Sequence, residues 1–443
     1  MDEGLIEYIL KKSKEKGADD VVVNLGESTS SQIKFVHNKI VTIKNSVDSA
    51  CSIFLVKDKK VVETLIQDLS TKNIDNTITK LIKFANISQP NPNYVCIAQG
   101  PFKYKKAESP DKKLVNIGDK TVDILETGIN SALSAGANRT AGTITTEVAN
   151  SILGTSNNVF AKDFGASIAF SIRAFAEKDA SGHGVSCSTT LKDFNPTEAG
   201  THAGEIAKSA LNPQLGIAGK YDIVFEPLAF AGFLEHTMDS ASIFSVEAGF
   251  SFFANKLNKQ VANNIVNLND HGYINGGLGS GICDAEGVPT QNNTVIKDGV
   301  LKTYLHNSST AARYNTKTTA NAGLISPNPT NIVLAPGKLT QDELIKSIKH
   351  GLLVTNLWYT RFQNYSTGDF STIPRDGIFL IEDGKITKSI KDIRISDNML
   401  RILQNIMELS KARSWIKWWE VDVPTLAPCA LVEDLNFTKP SMR

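Results

Sequence analysis

The chain has no CxxC pair, no apolar run near the ~20 residues of a membrane span, no excess of either charge and no two histidines one helical turn apart. Each absence removes a class of function. Five cysteines, Cys51, Cys96, Cys187, Cys283 and Cys429, are scattered and odd in number, which argues against a disulfide framework and against a thiolate zinc site. Unpaired thiols suit a reducing compartment, so a cytoplasmic location is expected. With 47 basic and 46 acidic residues the net charge is +1, and no global field for nucleic acid or an anionic membrane arises. The opening stretch MDEGLIEYILKKSKEKGADD begins acidic and lacks the apolar core of a signal peptide. No Gly-x-Ser-x-Gly elbow is present, and the glycine run GGLGSG lacks the spacing of a dinucleotide fingerprint and the Lys-Ser/Thr ending of a phosphate loop.

What is present is 443 residues with 41% apolar content, enough for two or three buried cores. An amphipathic helix around Leu5–Leu10, three strands and a second helix, NIDNTITKLIKFANI, predict an α+β unit over residues 1–93 with antiparallel pairing. The proline-bearing stretch SQPNPNYVCIAQGPFKYKKAESPDKK follows as a linker or traversing loop. It opens a central α/β region, 94–220, with helices at GDKTVDILETGINSALSAG and EAGTHAGEIAKSALN and alternating strands between them. From 221 to 443 the pattern is β-rich with packed helices. Asp298-Gly299 and Asp383-Gly384 mark hairpin turns there, and one late helix is expected over DNMLRILQNIMELSKAR. The fold class is therefore α+β.

Chemical candidates are few. GFLEHTMDSAS places Glu235 beside His236 on an apolar helix, with Asp239 on the same face three residues on. The bland alternative is a solvated face opposite Phe230, Phe233, Leu234 and Met238. His183, between two glycines, reads as an exposed turn residue, and Cys429, inside an apolar strand, as a core thiol. Asp284 and Glu286 form a paired-carboxylate candidate, with a solvated turn as the alternative. NYSTGDFS gathers Tyr365, Thr367, Gly368, Asp369 and Ser371 into a turn. Trp415, Trp418 and Trp419 crowd one short segment, which suits either a subunit contact or core packing.

Taken in order, VFEPLAFAGFL, CDAEGVPTQNNTVIKDGVLKTYLHNSSTA, NPTNIVLAPG, STGDFS with DGIFLIEDGKI, and NMLRILQNI resemble the TldD/PmbA family, the modulator-of-gyrase peptidases. The resemblance covers the whole second unit, and the run from Asp284 through the hairpin to Leu305 is its most specific part. In the catalytic branch of that family zinc is held by a His-Glu-x-x-x-His helix and a Cys close to the C-terminus. Counting on from Pro227, the first metal His falls on Glu235, the general base on His236 and the second His on Ser240, and SWIKWWEV carries no Cys. The resemblance is therefore to the PmbA/TldE branch, which has the fold without the zinc site. It implies a non-catalytic subunit with no cofactor of its own, zinc being expected in a TldD-like partner, and a heterodimeric peptidase for unfolded or leader peptides. Asp284, Glu286 and Gly287, with Tyr365, Thr367, Gly368, Asp369 and Ser371, are the expected peptide-cavity residues. Neither nucleic acid nor membrane is an expected partner, and a homodimer in isolation is compatible with the pairing. The rivals are an independent metallopeptidase using Glu235, His236, Asp239 and a distant ligand such as His183, and a homodimeric peptide-binding module without cleavage.

Overall fold

The computed structural model describes residues 2–105 and 110–439. Helix α1 (Glu3–Glu15) precedes three strands, β1 (Asp20–Val36), β2 (Lys39–Lys57) and β3 (Lys60–Ile66). Helices α2 (Thr71–Ile87), α3 (Lys112–Val115) and α4 (Lys120–Ser134) follow, then β4 (Arg139–Thr155), β5 (Phe160–Glu177), β6 (Ala180–Ser188) and α5 (Pro196–Ser209). These six strands form one antiparallel sheet in the order β3-β2-β1-β4-β5-β6. The boundary expected near Asn93 thus falls between strands of a single sheet, because β1 pairs with β4 along almost its whole length. The proline-bearing stretch, whose residues 106–109 lie outside the described ones, runs against the C-terminal half: Val95 N donates to Ser309 Oγ at 2.9 Å and Tyr104 Oη to the Gly287 carbonyl at 2.8 Å.

The second half begins with β7 (Gln214–Leu215), β8 (Gly219–Phe225), α6 (Pro227–Ser240), α7 (Ile243–Glu247), β9 (Leu268–His271), β10 (Asn292–Lys297) and β11 (Val300–Leu301). It continues through α8 (Ser308–Arg313), β12 (Ala322–Gly323), β13 (Ser326–Pro327), β14 (Ile332–Leu334), α9 (Gln341–Ser347) and β15 (His350–Asn364). It closes with β16 (Asp369–Glu382), β17 (Lys385–Lys391), β18 (Arg394–Asn398), α10 (Met399–Gln404), β19 (Ile406–Trp418) and β20 (Val421–Thr438). Twelve of these strands make a mixed sheet, with β20 bonded to β8, β14, β18 and β19. Both Asp-Gly turns form: Asp298 and Gly299 have φ of 49° and 74°, Asp383 and Gly384 of 48° and 75°, the left-handed pair that a two-residue hairpin requires. The late helix stops at Gln404, and Ile406–Trp418 is strand instead. Pairing with β20 overrides the helical periodicity there, since β19 buries Leu409, Ser410 and Ile416 against the sheet.

Helix α5 joins the halves. Its Ala199, Ala203, Ile206 and Ala207 share one core with Phe170 and Ile172 of β5 and with Val224, Leu353, Phe379 and Leu431 of the large sheet. Glycine allows this approach. A Cβ on Gly182 would lie 2.1 Å from the Ala203 carbonyl oxygen and one on Gly184 2.0 Å from that of Ala199. On the other side of the helix a Cβ on Gly200 would lie 2.1 Å from the Gly128 carbonyl oxygen of α4. The glycines beside His183 therefore serve packing, and His183 is not an exposed turn residue: it sits in β6 and is 2% exposed.

Candidate functional site

Helix α6 starts where Pro227 fits its first turn, and its apolar residues point all round rather than to one side. Leu228, Phe230, Phe233, Leu234 and Met238 are buried, and so are Glu235, Thr237 and Ser240. The expected solvated face is reduced to Asp239, with His236 partly covered. Glu235 turns toward β20, and its Oε1 accepts from Val423 N at 2.7 Å. Burial first, then the carboxylates of Asp239 and Asp422, push its pKa up to about 7. His236 lies edge-on to Phe362 at 5.2 Å, and its Nδ1 is 4.0 Å from Asp239 Oδ2. Burial and the neighbouring Arg361 guanidinium hold His236 below its ordinary pKa, so the ring is neutral.

His236 and Asp239 border a cavity of ≈ 360 Å³ with Ser240, Ser245, Phe250, Phe362 and Tyr365 on its walls. Tyr365 is the one residue of the NYSTGDFS turn brought to it. Within that turn Thr367 Oγ1 donates to Asp369 Oδ2 at 2.6 Å, Asn398 Nδ2 to Asp369 Oδ1 at 2.8 Å, and Gly368 takes φ 85°. Ser371 is buried and accepts from Gln363 Nε2 at 3.0 Å. Thr367, Gly368 and Asp369 therefore shape the turn that presents Tyr365.

A catalytic zinc needs about three protein donors around one open position. Here Glu235 is committed to a backbone N–H, and only His236 and Asp239 face each other. Among the described residues no three His, Cys, Asp or Glu side chains are grouped to hold a metal. The residues at the Glu235, His236 and Ser240 positions do not fit zinc.

Asp284, Glu286 and Gly287 are not brought to this cavity, nor do they form a solvated turn. Asp284 Oδ1 accepts from Glu286 N at 3.0 Å and Val288 N at 2.9 Å, and its Oδ2 from Ala322 N at 3.0 Å. That is a buried carboxylate organising its own loop, with Gly287 at φ 80° completing the bend. Glu286, 2% exposed, accepts from Ser308 N at 3.2 Å, and burial followed by Asp284 pushes it up to about 8.

His183 is held away from α6 as well. Its Nε2 meets Ser171 Oγ at 2.8 Å and its Nδ1 meets Asn356 Nδ2 at 2.9 Å. Asn356 Oδ1 accepts from Leu357 N, so its amide nitrogen faces the ring and Nδ1 is the acceptor. Nε2 then carries the proton and donates to Ser171, the reverse of what a serine nucleophile needs. Trp418 packs edge-on to His183 at 4.7 Å, so it serves core packing, whereas Trp419 is 53% exposed.

Sequence reasoning missed one constellation. In a cleft of ≈ 800 Å³ between α5, β19 and the start of α6, His202 Nε2 pairs with Glu226 Oε2 at 2.8 Å and Gln341 Nε2 donates to Glu226 Oε1 at 2.9 Å. Cys429 Sγ donates to Gln341 Oε1 at 3.4 Å, and burial pushes that thiol up to about 12, as befits a core residue. Four elements far apart in the chain meet there, and no local pattern marks it.

Residues 218–439 match the family described as the PmbA/TldA metallopeptidase C-terminal domain, half of the chain. The chain belongs to the PmbA/TldD metallopeptidase family. It is 22% identical to the metalloprotease PmbA of Escherichia coli O157:H7 over 431 residues, covering 94% of this chain and 93% of that one. A metalloprotease of Methanocaldococcus jannaschii is 30% identical over 203 residues, 44% of each chain. Two solved structures share the fold: TldE of Thermococcus kodakarensis, with TM-score 0.86, 21% identity and coverage of 98% of this chain and 100% of that one, and a Thermotoga maritima protein named for modulation of a DNA gyrase, with TM-score 0.86, 24% identity and the same coverage. The PmbA/TldD match contains α6, its cavity, the Asp284 loop and the Trp cluster, whereas His183 and His202 lie before it. No helix among the described residues is long and apolar enough to cross a membrane.

Proposed function

We propose that this PmbA/TldD family chain is the TldE-like, non-catalytic subunit of a heterodimeric zinc peptidase, working in the cytoplasm beside a TldD-like subunit that carries the zinc. The observation that carries the reading is Glu235: at the position where the resemblance places the first metal His stands a carboxylate bonded to Val423 N at 2.7 Å. A lone His236 beside Asp239 supplies too few donors for tight zinc binding, and a weakly bound water would keep a pKa too high to attack a peptide at neutral pH. In this role the chain closes the peptide cavity. The α6 recess with Tyr365, Phe250 and Phe362 offers apolar wall area to an unfolded or leader peptide.

The test is zinc content and cleavage of denatured casein, for this chain alone and mixed with the TldD-like subunit of the same genome. The expected outcome is no stoichiometric zinc and no cleavage alone, with cleavage on mixing. One zinc per chain together with cleavage by the chain alone would refute the proposal.

A further inference from the structure

Beside the α6 cavity lies an aromatic shelf that the lost zinc motif does not explain. Trp358 and Tyr359 come from β15 where its pairing with β16 shifts register, Trp418 from the end of β19 and Trp419 from the turn that follows it. Trp419 lies 5.1 Å from Trp358 and 5.7 Å from Tyr359 between ring centroids. Trp419 and Tyr359 are 53% and 41% exposed. Tyr359 holds φ at 59°, a region that bulky side chains rarely adopt and that persists where surroundings over-determine it. Here they do: Tyr359 N donates to Glu420 Oε1 at 3.2 Å, and Trp358 Nε1 to Asp376 Oδ2 at 3.0 Å.

Two exposed arginines stack on these rings. Arg375 lies 5.5 Å from the Trp358 centroid and 5.6 Å from that of Tyr359, and Arg361 lies 5.8 Å from Tyr359. Neither forms an ion pair among the described residues, unlike Arg173 on the inner side, which is bound to Asp376. A guanidinium lying on a ring keeps N–H groups available for a carboxylate; in Arg361, Nη1 is taken by the Thr360 carbonyl at 2.8 Å, which leaves Nε and Nη2 for a partner. Trp, Tyr and Arg are also the residue types that dominate protein interfaces, and a rigid shelf loses little freedom when covered.

We propose that this shelf is where the zinc-bearing subunit docks, through a segment presenting a carboxylate beside an apolar side chain. The inference rests on the heterodimer reading above. A second copy of this chain fits poorly, because a two-fold contact at this face would set the two arginine pairs against each other. An extended peptide held for its backbone has no need of a paired carboxylate site.

The test measures Kd between the full-length chain and the TldD-like subunit for wild type, Trp419→Ala, the double variant Arg361→Glu/Arg375→Glu, and, as control, Lys346→Glu on α9, just ahead of the opposite end of β15. All of these side chains are exposed or partly so, and unchanged thermal melting of each isolated variant checks that it folds. Expected is a weakening of about 10–100-fold for Trp419→Ala and for the double variant, a flatter salt dependence for the latter, and no change for Lys346→Glu. Wild-type binding with equal Kd for every variant would overturn the shelf as the docking surface while leaving the heterodimer standing. Absence of wild-type binding would overturn the heterodimer and the shelf with it. Loss of self-association in the variants with an unchanged heterocomplex would assign the shelf to a second copy, and a raised KM for peptide at unchanged Kd would assign it to substrate; either overturns the proposal.

Discussion

Replacing Asp376 probes the junction on which both halves of the molecule and the aromatic shelf depend. Its side chain is 0% exposed and accepts from Arg173 Nε at 3.1 Å and Nη2 at 2.5 Å, from Ser181 Oγ at 2.7 Å and from Trp358 Nε1 at 3.0 Å. Arg173 and Ser181 belong to the six-stranded sheet and Trp358 to the large one, so one carboxylate ties the two sheets together. Burial works against its charge, but Arg173 and the hydrogen bonds outweigh it and hold the carboxyl below its ordinary value. In Asp376→Ala the indole N–H is left buried and unpaired, at about 2 kcal/mol, and the half-buried Ser181 hydroxyl adds about 1 kcal/mol. Arg173 is 30% exposed and can turn to water, so its share is discounted to about 1 kcal/mol. Alanine at φ 55°, where Asp is tolerated, adds about 1 kcal/mol, for a total of about 5 kcal/mol. Asp376→Asn keeps an acceptor for Trp358 and the backbone tolerance, and loses about 1–2 kcal/mol with the charge. Urea unfolding followed by Trp fluorescence and by far-UV circular dichroism measures both. The two probes are expected to shift together, because the knot spans both sheets. An alanine variant within 1 kcal/mol of wild type, or one destabilised no more than the asparagine variant, would refute the reasoning.

Glu286 gives a pH test of opposite sign. Its folded pKa stands at about 8 against an ordinary 4.5, so between those values the unfolded chain releases a proton that the folded chain keeps, and stability falls as pH rises. Glu286→Gln should match wild type near pH 4.5 and exceed it increasingly toward pH 8 in urea midpoint; an equal offset at every pH would show that titration is not the cause. Gly182→Ala should cost about 2–3 kcal/mol, since its Cβ would stand 2.1 Å from the Ala203 carbonyl oxygen and force α5 off the sheet. A melting temperature unchanged from wild type would mean that α5 has slack the packing does not indicate.

Local chemistry was legible where it acts over a few residues. The Asp298-Gly299 and Asp383-Gly384 turns, the apolar run after Pro227 and the alternation in β5 each carry their own instruction, because turn sterics and side-chain period are properties of short segments. The order of motifs from VFEP to NMLRILQNI carried the family, and counting from Pro227 placed Glu235, His236 and Ser240 where zinc ligands would stand. Direction and burial were not legible. That Glu235 turns to Val423, that Asp284 reaches the Ala322 N–H, and that His183 is locked by Asn356 all depend on neighbours from about 40 to nearly 200 positions away. The segment after Gln404 is a strand for the same reason: β20 supplies the partner that its helical periodicity could not foresee. By itself the chain's order of residues determined the α+β class, the turns and the absence of a complete zinc motif, since these need only residue identity and spacing. The tertiary structure alone decided which polar groups are buried and paired, the gathering of His202, Glu226, Gln341 and Cys429, and the stacking of Arg361 and Arg375 on Trp358 and Tyr359, because burial and long-range contact exist only once the two sheets close on α5.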